Sequence, residues 1–323
     1  MDSLPMSMDR DSLQQLLGEI DTVLLDCDGV LWQGAEGMDV MPRAPELVGR
    51  LQAMGKNVFL ITNNSTKTQD SYYDKCRSLR FNVDRDHILS APYIVAQYLK
   101  EINFTKKVYL VGSPGLAQEI QKVGIQCIGV GPERIEGSIY NAMAHSSTLG
   151  LDPNVGAVVV GFDREFNYDK LVRATSYLAD PDCLFLATNL DEKYKVTGTR
   201  YHLPAAGILV KTIENATQRP PRVMGKPSLN MFYMLQARYG VQPEKTLIIG
   251  DTLHTDILLG NECGMWTLLV LSGATTLQEA RQLTTTQDPI KQKQVPLFYL
   301  QSVGDILTLL DEPLNHHLNE QQH

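Results

Sequence analysis

Cysteine is scarce in this sequence, and the few cysteines it has are scattered. The 323-residue chain has five of them, none in a C-x-x-C pair. That spacing argues against a zinc site or a dithiol redox motif, and the odd number argues against a disulfide framework. A stable core must therefore come from apolar side chains, which make up 43% of the residues.

Long apolar runs are also missing. No stretch approaches the roughly 20 residues that a membrane-spanning helix needs. Residues 1–20 are polar and lack the continuous apolar segment of a signal peptide. We therefore expect a cytoplasmic protein without a membrane partner.

Positive charge is in the minority. The chain has 29 Lys and Arg against 37 Asp and Glu, a formal net charge of −8. Because no basic block offsets this charge, a nucleic-acid partner is not expected. A small anionic substrate remains compatible with the composition, since a local site can be positive on an acidic protein.

Short apolar segments alternate with helical patterns along the chain. Strands are predicted at 22–26, 57–62, 108–112, 155–160, 184–187, 246–251, 266–271 and 298–300. Helices are predicted at 9–20, 45–54, 68–80, 92–102, 114–123, 168–179, 207–217 and 228–239, with a polar tail from residue 312. Apolar strands joined by helices indicate a doubly wound, Rossmann-like α/β fold with a parallel sheet. The pattern restarts near residue 106, which is typical of an inserted α/β unit.

Two carboxylates stand at the end of the first predicted strand. Asp26 and Asp28 follow an apolar run, and Gly29 marks the turn that ends it. Side chains two residues apart on an extended segment point the same way, so both carboxylates can face one spot. Because adjacent carboxylates repel, one holds a proton or a cation lies between them. The pair is either half of a metal site beside an acid or nucleophile, or two solvated turn residues.

Three further polar segments occur in an order that fits the same site. They are Thr62-Asn63-Asn64-Ser65, Gly225-Lys226-Pro227 and Gly250-Asp251-Thr252-Leu253-His254-Thr255-Asp256. The carboxyl ends of parallel strands open on one crevice, so the strand-end segments can meet there and Lys226 can approach them. Pro227 suits the first position of the helix at 228–239. Each segment alone also fits an ordinary loop, and Asp256 fits a first-turn helix charge better than a ligand.

Together these residues meet the needs of phosphoryl transfer, which relies on positioning and on charge neutralisation. Asp26 can attack phosphorus, while Asp28 can protonate the leaving oxygen and then activate water. Mg²⁺ bridges one or two carboxylates to phosphate, a role that suits Asp26 and Asp251, with the backbone carbonyl of Asp28 as a third ligand. The phosphoryl oxygens can be held by Thr62, Asn63 and Lys226.

The order DCDGV, TNNS, GKP and GDTLHTD resembles the four motifs of the haloacid-dehalogenase superfamily of phosphatases. The large insert before GKP is similar to the subgroup with an α/β cap, which includes phosphoglycolate, 4-nitrophenyl phosphate and pyridoxal phosphate phosphatases. The resemblance implies a catalytic core at 1–101 and 222–323, a cap at 102–221 and a homodimer formed through the cap. It implies Asp26 as nucleophile and Asp28 as acid and base. It also implies Mg²⁺ at Asp26, Asp28 and Asp251, and phosphate at Thr62, Asn63, Asn64 and Lys226.

The chain departs from these relatives in the predicted cap and carries an unusual residue beside the nucleophile. Tyr194 stands where pyridoxal phosphate phosphatases have histidine and phosphoglycolate phosphatases have leucine, so it is either a substrate-binding or a packing residue. Ala205-Ala206 replaces a glycine-containing turn, whose shape is expected to change if positive φ is needed. Cys27 is expected to be a small packing residue rather than an oxidation switch, because two negative neighbours raise its pKa.

The leading interpretation is a Mg²⁺-dependent phosphatase of small phosphate monoesters, most similar to phosphoglycolate phosphatase. Other enzymatic interpretations are a pyridoxal phosphate phosphatase, a protein phosphatase-like activity and a phosphotransferase in which another acceptor replaces water. A different class is a catalytically quiet relative that binds a phosphorylated metabolite. The presence of Asp26, Asp28, Lys226 and Asp251 favours an enzyme over the quiet relative.

Overall fold

The computed structural model describes residues 4–34, 37–137, 140, 146–195 and 199–311, and the predicted polar tail lies outside them. Each predicted strand and helix is present, with ends within two residues of the expected ones. The strands are β1 (Met6–Ser7), β2 (Thr22–Asp26), β3 (Trp32–Gln33), β4 (Asp39–Val40), β5 (Asn57–Thr62), β6 (Ile88–Ser90), β7 (Lys107–Val111), β8 (Cys127–Ile128), β9 (Val155–Val160), β10 (Leu184–Ala187), β11 (Lys193–Lys195), β12 (His202–Pro204), β13 (Arg222–Val223), β14 (Thr246–Gly250), β15 (Trp266–Val270) and β16 (Phe298–Leu300). The helices are α1 (Arg10–Glu19), α2 (Ala44–Ala53), α3 (Gln69–Ser78), α4 (Ala91–Glu101), α5 (Pro114–Lys122), α6 (Tyr168–Leu178), α7 (Ala206–Thr217), α8 (Leu229–Tyr239), α9 (Leu258–Cys263), α10 (Leu277–Gln282), α11 (Pro289–Gln292) and α12 (Asp305–Asp311).

Seven parallel strands form the first sheet, in the order β1-β16-β15-β14-β2-β5-β6. From β2 the chain extends the sheet through β5 and β6, and it later returns to add β14 and β15 on the other side. β2 and β14 therefore flank the point where strand order reverses, the usual place for a ligand in such sheets. Asp26 pairs with Ile61 and Leu25 with Ile249, so the strand ends that carry the polar motifs are level.

Five parallel strands form the second sheet, in the order β13-β10-β9-β7-β8. Four of them fall within the predicted insert. The fifth, β13, also belongs here because Arg222 and Val223 pair with Leu186 and Ala187. No strand was predicted here, and the predicted domain boundary put residue 222 at the start of a catalytic-core segment. A two-residue strand carries no periodicity, so the sequence could not assign it.

Two short antiparallel hairpins complete the described strands. β3 pairs with β4 shortly after Asp28, and β11 pairs with β12 beside the second sheet. Neither hairpin was predicted, because strands of two or three residues are shorter than the window in which alternation is visible. The first hairpin carries Trp32, and the second carries Tyr194.

Apolar side chains pack against both faces of the first sheet. Val23 and Leu25 belong to one buried cluster, whereas Leu24 points to the other, as alternation along a strand requires. The second cluster continues through Val108 and Leu110 of the second sheet. Shared packing therefore fixes the position of one sheet relative to the other. Among the described residues, no helix combines the length and the apolar character needed to span a membrane.

Candidate active site

Three carboxylates meet where β2 and β14 end. Asp26 is the last residue of β2, Asp251 follows β14, and Asp256 lies in the π-helical turn Leu253–Ile257. One oxygen of each lies within 4.8 Å of the other two. All three residues are buried, at most 8% exposed. Buried carboxylate oxygens at this spacing fit a hard divalent cation such as Mg²⁺.

Lys226 lies between two of these carboxylates. Its Nζ donates to Asp26 Oδ1 at 2.6 Å, to Asp256 Oδ1 at 2.7 Å and to the carbonyl oxygen of Ile61 at 3.4 Å. Burial alone disfavours the ammonium, but Asp256 and Asp26 raise the pKa of Lys226 above its ordinary value. The ammonium is therefore retained beside Asp26, where it can also attract a bound anion.

The charges of the cluster do not balance without a cation. Burial raises the pKa of Asp26 well above its ordinary value; Lys226 opposes this shift, and Asp256 and Asp251 add to it. Burial and Asp256 raise the pKa of Asp251 to about 6. Apart from burial, these shifts arise because all three carboxylates, when ionised around one ammonium, carry an excess of two negative charges. A divalent cation would neutralise that excess, which is the electrostatic reason that these residues fit Mg²⁺.

Asp251 is held by its immediate neighbours. The backbone N–H of Ala274 donates to Asp251 Oδ2 at 2.7 Å, and the Thr252 hydroxyl donates to Oδ1 at 2.9 Å. A Cβ placed on Gly273 would lie 1.8 Å from Oδ2. Glycine is therefore required where the backbone approaches this carboxylate so closely.

Asp256 is a site residue whose partner the sequence interpretation did not name. As expected it lies in the first turn of a helical segment, here the π-helical turn, but its side chain is fully buried and paired with Lys226. Its Oδ2 also accepts a hydrogen bond from the backbone N–H of Thr252 at 3.2 Å. The π-helical turn brings the carboxylate back to the strand end instead of leaving it in solvent. The apolar residues directly after Asp256 were the available signal, since they indicate a buried turn.

Asp28 lies outside the carboxylate cluster. It is exposed, and its Oδ1 accepts a hydrogen bond from Trp32 Nε1 at 2.9 Å. Between the two aspartates, Cys27 is fully buried, and burial followed by the charges of Asp26 and Asp28 raises the pKa of its thiol. A thiol held in the neutral form reacts slowly with oxidants. The geometry thus favours the packing role expected for Cys27.

The loop after β5 brings Thr62 and Asn63 to the same place. Asn63 Nδ2 donates to the carbonyl oxygen of Lys226 at 2.9 Å and to Asp191 Oδ2 at 3.2 Å. From the loop after β10, Asn189 Nδ2 donates to the carbonyl oxygen of Asn63 at 2.8 Å. Asn189 and Asp191 were not among the predicted site residues. The rule that selected Thr62 and Asn63, polar residues directly after an apolar strand, also fits Asn189 and Asp191 after β10.

Asn64 shapes this loop. Its Oδ1 accepts hydrogen bonds from the backbone N–H and the hydroxyl of Thr66, at 3.0 and 2.7 Å. Its own backbone N–H donates to the Thr62 hydroxyl oxygen at 3.1 Å. The structure therefore gives the carboxamide oxygen of Asn64 a turn-forming role next to the predicted phosphate ligands.

The Lys226 segment differs from its predicted helix start. Helix α8 begins at Leu229, and Ser228 is its N-cap, accepting a hydrogen bond from the backbone N–H of Asn230. The Ser228 N–H donates to the carbonyl oxygen of Gly225 at 2.9 Å. Pro227 thus lies in a turn before the helix rather than at its first position. This turn, and not the helix, brings Lys226 into the site.

Tyr194 lies on β11, near enough to Asp191 and Asp28 for their charges to act on its hydroxyl group. Burial, followed by the charges of Asp191 and Asp28, raises its pKa. The residue is 41% exposed, as expected at the rim of a cleft. Ala205 has φ −106° and forms the N-cap of α7 in an extended conformation. Alanine adopts this conformation without strain.

The fold and the site define a class of protein. A parallel α/β sheet holds acidic residues and a buried lysine at its strand ends, and a second α/β sheet lies beside them. This arrangement is typical of enzymes that transfer a phosphoryl group with the help of a carboxylate and a cation.

Comparison with known proteins identifies the family. A family model described as haloacid dehalogenase-like hydrolase matches residues 23–126, and a HAD-hydrolase-like model matches residues 223–295. The chain is 39% identical to human glycerol-3-phosphate phosphatase over 317 residues, which cover 96% of this chain and 97% of that protein. It is 37% identical to phosphoglycolate phosphatase 2 of Arabidopsis thaliana over 313 residues, 96% and 99% of the two chains.

A solved structure supports the fold. The p-nitrophenyl phosphatase of Archaeoglobus fulgidus superimposes with a TM-score of 0.73, over 90% of this chain and 99% of that one, at 24% identity. The chain belongs to the haloacid dehalogenase-like hydrolases and is a phosphatase that hydrolyses phosphate monoesters. The predicted family, fold class and reaction are confirmed. Glycerol 3-phosphate was not among the substrates that the motifs suggested.

Proposed function

We propose that this phosphatase is Mg²⁺-dependent and acts on small phosphorylated metabolites through an aspartyl-phosphate at Asp26. The observation that carries the proposal is the position of Lys226, buried between Asp26 and Asp256 at 2.6 and 2.7 Å. This ammonium offsets the charge of the nucleophile and of the incoming phosphate together. Without it, two anions would have to approach each other in a poorly solvated site.

Mg²⁺ would be held by Asp26, Asp251 and the backbone carbonyl of Asp28, with Asp256 orienting Lys226. When bound, the ion supplies positive charge that offsets the phosphoryl group and the carboxylates. The fit rests on the carboxylate oxygens of Asp26, Asp251 and Asp256, which lie within 4.8 Å of one another, and on the excess negative charge of this group.

The chemical steps follow from the roles of two aspartates. A carboxylate oxygen of Asp26 attacks phosphorus, and the bond between phosphorus and the leaving oxygen breaks. Asp28 gives its proton to that oxygen. The resulting Asp28 carboxylate takes a proton from water, and the water oxygen attacks phosphorus and releases Asp26.

The phosphoryl oxygens would be bound by Thr62, Asn63 and Lys226. Asn64 supports them through its turn and retains its side-chain NH₂ group as a donor for an anion. These groups surround the end of β2 without a long basic segment. That arrangement agrees with an acidic protein in which one buried lysine, amide and hydroxyl donors and a bound cation would together attract the phosphate.

Substrate choice would be made by side chains of the predicted cap that lie near the site. Tyr194 and Asp191 are the candidates, because both interact electrostatically with residues of the first-sheet site. The relatives named above act on glycerol 3-phosphate and on phosphoglycolate, so these two compounds are the first candidates here. Pyridoxal phosphate remains a candidate from the motif resemblance.

A homodimer formed through the predicted cap and a cytoplasmic location are part of the same proposal. The region of β12 and α7 exposes Tyr201, Leu203 and Ile208, with 63%, 58% and 41% of their surface accessible. Exposed apolar side chains of this size favour a partner surface. The five free cysteines suit a reducing compartment. The molecular mass in solution tests the dimer.

Trapping of the phosphoenzyme tests the mechanism. Brief incubation of the enzyme with Mg²⁺ and ³²P-labelled substrate, followed by acid quenching, should leave label on the protein. Asp26→Asn should carry no label and show no turnover, because the nucleophile is lost with little change in volume. Asp28→Asn is the matched control: with an activated aryl substrate it should accumulate label, since water is no longer activated. An active or labelled Asp26→Asn enzyme would refute the covalent role.

The substrate is tested by kcat/KM with glycerol 3-phosphate, phosphoglycolate, pyridoxal phosphate and 4-nitrophenyl phosphate. A preference of about a hundredfold, roughly 2.7 kcal/mol of transition-state binding, would assign one natural substrate. Release of inorganic phosphate, rather than a new phosphate ester, separates hydrolysis from phosphotransfer. Activity on the nitrophenyl ester alone would mean that the natural substrate lies outside this set.

A further inference from the structure

We propose that Trp32 is a positioning residue that fixes the Asp28 carboxyl group for proton transfer to the leaving oxygen. The inference rests on the acid role proposed above for Asp28. Its geometric basis is the hydrogen bond from Trp32 Nε1 to Asp28 Oδ1 at 2.9 Å. No role for this tryptophan follows from the strand-end motifs, because it lies on the hairpin strand β3.

The indole ring is immobilised by its surroundings. Trp32 is fully buried; Tyr72 stacks on it with ring centroids 6.4 Å apart, and Phe81 meets it edge-on at 5.6 Å. The backbone adds a second constraint, because the N–H of Gly29 donates to the carbonyl oxygen of Trp32 at 2.7 Å. The direction of the indole N–H is therefore set by packing.

Asp28 needs such a partner because it is exposed. An exposed aspartate samples several rotamers, and only some of them can reach a leaving oxygen. Indole nitrogen is a donor only, so Asp28 Oδ1 must act as an acceptor toward Trp32. The acidic proton then resides on Oδ2. When the phosphorus–oxygen bond breaks, that proton moves from Oδ2 to the leaving oxygen, which keeps the bond's electron pair.

Lys75 strengthens this arrangement through a contact with the face of the indole ring. Its Nζ lies 4.2 Å from the centroid of Trp32. A cation on the ring face draws electron density from the indole and makes its N–H a better donor. Lys75 and Tyr72 both belong to α3, so one helix packs against the ring and polarises it.

The basicity of the leaving group separates acid positioning from a purely structural role. A structural role would change kcat/KM for all substrates alike. 4-Nitrophenolate is a weak base and departs without a proton, whereas an alkoxide such as that of glycerol is a strong base and needs one. Because kcat/KM includes only the steps through departure of the leaving group, it isolates the acid step from the later attack of water. Loss of acid positioning should therefore harm alkyl phosphates and spare aryl phosphates.

The test compares Trp32→Phe with Trp266→Phe. The chain has two tryptophans, and Trp266 Nε1 donates to the carbonyl oxygen of Glu244 at 3.2 Å, away from the carboxylates. Trp32→Phe should lower kcat/KM for glycerol 3-phosphate by about tenfold or more and for 4-nitrophenyl phosphate by about twofold or less. Trp266→Phe also loses an indole N–H, but it should leave the ratio of the kcat/KM values for the two substrates unchanged. If glycerol 3-phosphate is not turned over, phosphoglycolate serves as the alkyl substrate.

A shape-conserving replacement keeps the proposal testable if Trp32→Phe loosens the fold. In the Trp266→Phe background, biosynthetic incorporation of β-(3-benzothienyl)alanine replaces Trp32 alone and exchanges the N–H for sulfur. The same selective loss of kcat/KM for the alkyl phosphate is expected. Equal losses of kcat/KM for the alkyl and aryl phosphates, or no loss for either, would overturn the positioning role.

Asp28→Asn separates this inference from the proposed function. It should reduce kcat/KM for the alkyl ester far more than for the aryl ester. If it does so and the Trp32 variants do not, the inference is wrong while the acid role of Asp28 stands. If Asp28→Asn shows no such selectivity, the proposed acid role itself is wrong.

Discussion

Among single residues, Asp256 and Lys226 depend on each other most strongly. The carboxylate of Asp256 is fully buried and accepts a hydrogen bond from the Lys226 ammonium. The same ammonium also donates to Asp26. A buried ammonium with one carboxylate fewer loses part of the interaction that offsets its desolvation. The position of Lys226 relative to the nucleophile is thus set by a residue that touches neither of the reacting atoms.

Asp256→Asn tests this dependence. It keeps the side-chain volume but removes one charge. Lys226 should then shift fully toward Asp26 and reduce the nucleophilicity of the Asp26 carboxylate. We expect kcat to fall by a factor on the order of 10² with a smaller change in KM. Asp288→Asn, at an exposed helix N-cap, is the control for an Asp→Asn change and should leave kcat within experimental error. Unchanged kcat in Asp256→Asn would mean that Asp26 alone positions the lysine.

At the scale of elements, the loop after β5 is anchored to the second sheet as well as to the first. The backbone N–H of Phe162 donates to Ser65 Oγ at 3.0 Å, and Ser113 Oγ donates to the carbonyl oxygen of Ser65 at 2.8 Å. At the start of α5, a Cβ on Gly115 would lie 2.3 Å from the carbonyl oxygen of Thr66. The segment with the predicted phosphate ligands is therefore fixed by close packing against α5.

Gly115→Ala should disturb this packing, because the new methyl group meets backbone and not a movable side chain. We expect a loss of about 1–3 kcal/mol of unfolding free energy and a raised KM for all substrates. Gly49→Ala is the matched control on the exposed face of α2, where nothing lies within 4 Å of the added Cβ. It should stabilise the protein by about 0.5–1 kcal/mol. Denaturant unfolding and steady-state kinetics measure both effects; a neutral Gly115→Ala would show that the loop adapts.

At the scale of the whole molecule, the site lowers stability in order to bind a cation. The folded protein raises the pKa of Asp251 to about 6, above the ordinary value of 3.8. Between these values the folded state binds more protons than the unfolded state. Stability of the metal-free protein should therefore fall as the pH rises from about 4 to about 6 through this group, and the loss persists at neutral pH. Mg²⁺ should restore it by binding only the folded state.

Asp251→Asn separates the two effects. Without Mg²⁺ at pH 7.5, the variant should have a higher Tm than the wild type, because one buried negative charge is gone. Added Mg²⁺ should raise the Tm of the wild type in a concentration-dependent way and that of the variant much less, and the variant should need far more Mg²⁺ for activity. Thermal unfolding at several Mg²⁺ concentrations measures this. A variant with the same Mg²⁺ response as the wild type would show that Asp251 is not a ligand.

Residues that follow an apolar strand directly could be read from the sequence. Asp26, Thr62 and Asp251 are of this kind, because a buried parallel strand reveals itself by continuous apolar residues and its carboxyl end is the polar residue that follows. Lys226 was found by its order among the motifs. The structure corrected its local setting, since Pro227 lies in a turn and not in α8.

The amino-acid sequence by itself determined the parallel sheet of the core, the inserted α/β unit, the strand ends that carry the carboxylates and the family to which the chain belongs. These features depend on residues adjacent in the chain, through hydrophobic periodicity and short motifs. Only the tertiary structure decided that Asp256 pairs with Lys226, that β13 joins the second sheet and that Trp32 contacts Asp28. The physical reason is the same in each case. Burial and hydrogen bonding depend on partners that the fold brings together, and a turn or a two-residue strand is too short for hydrophobic periodicity to indicate those partners.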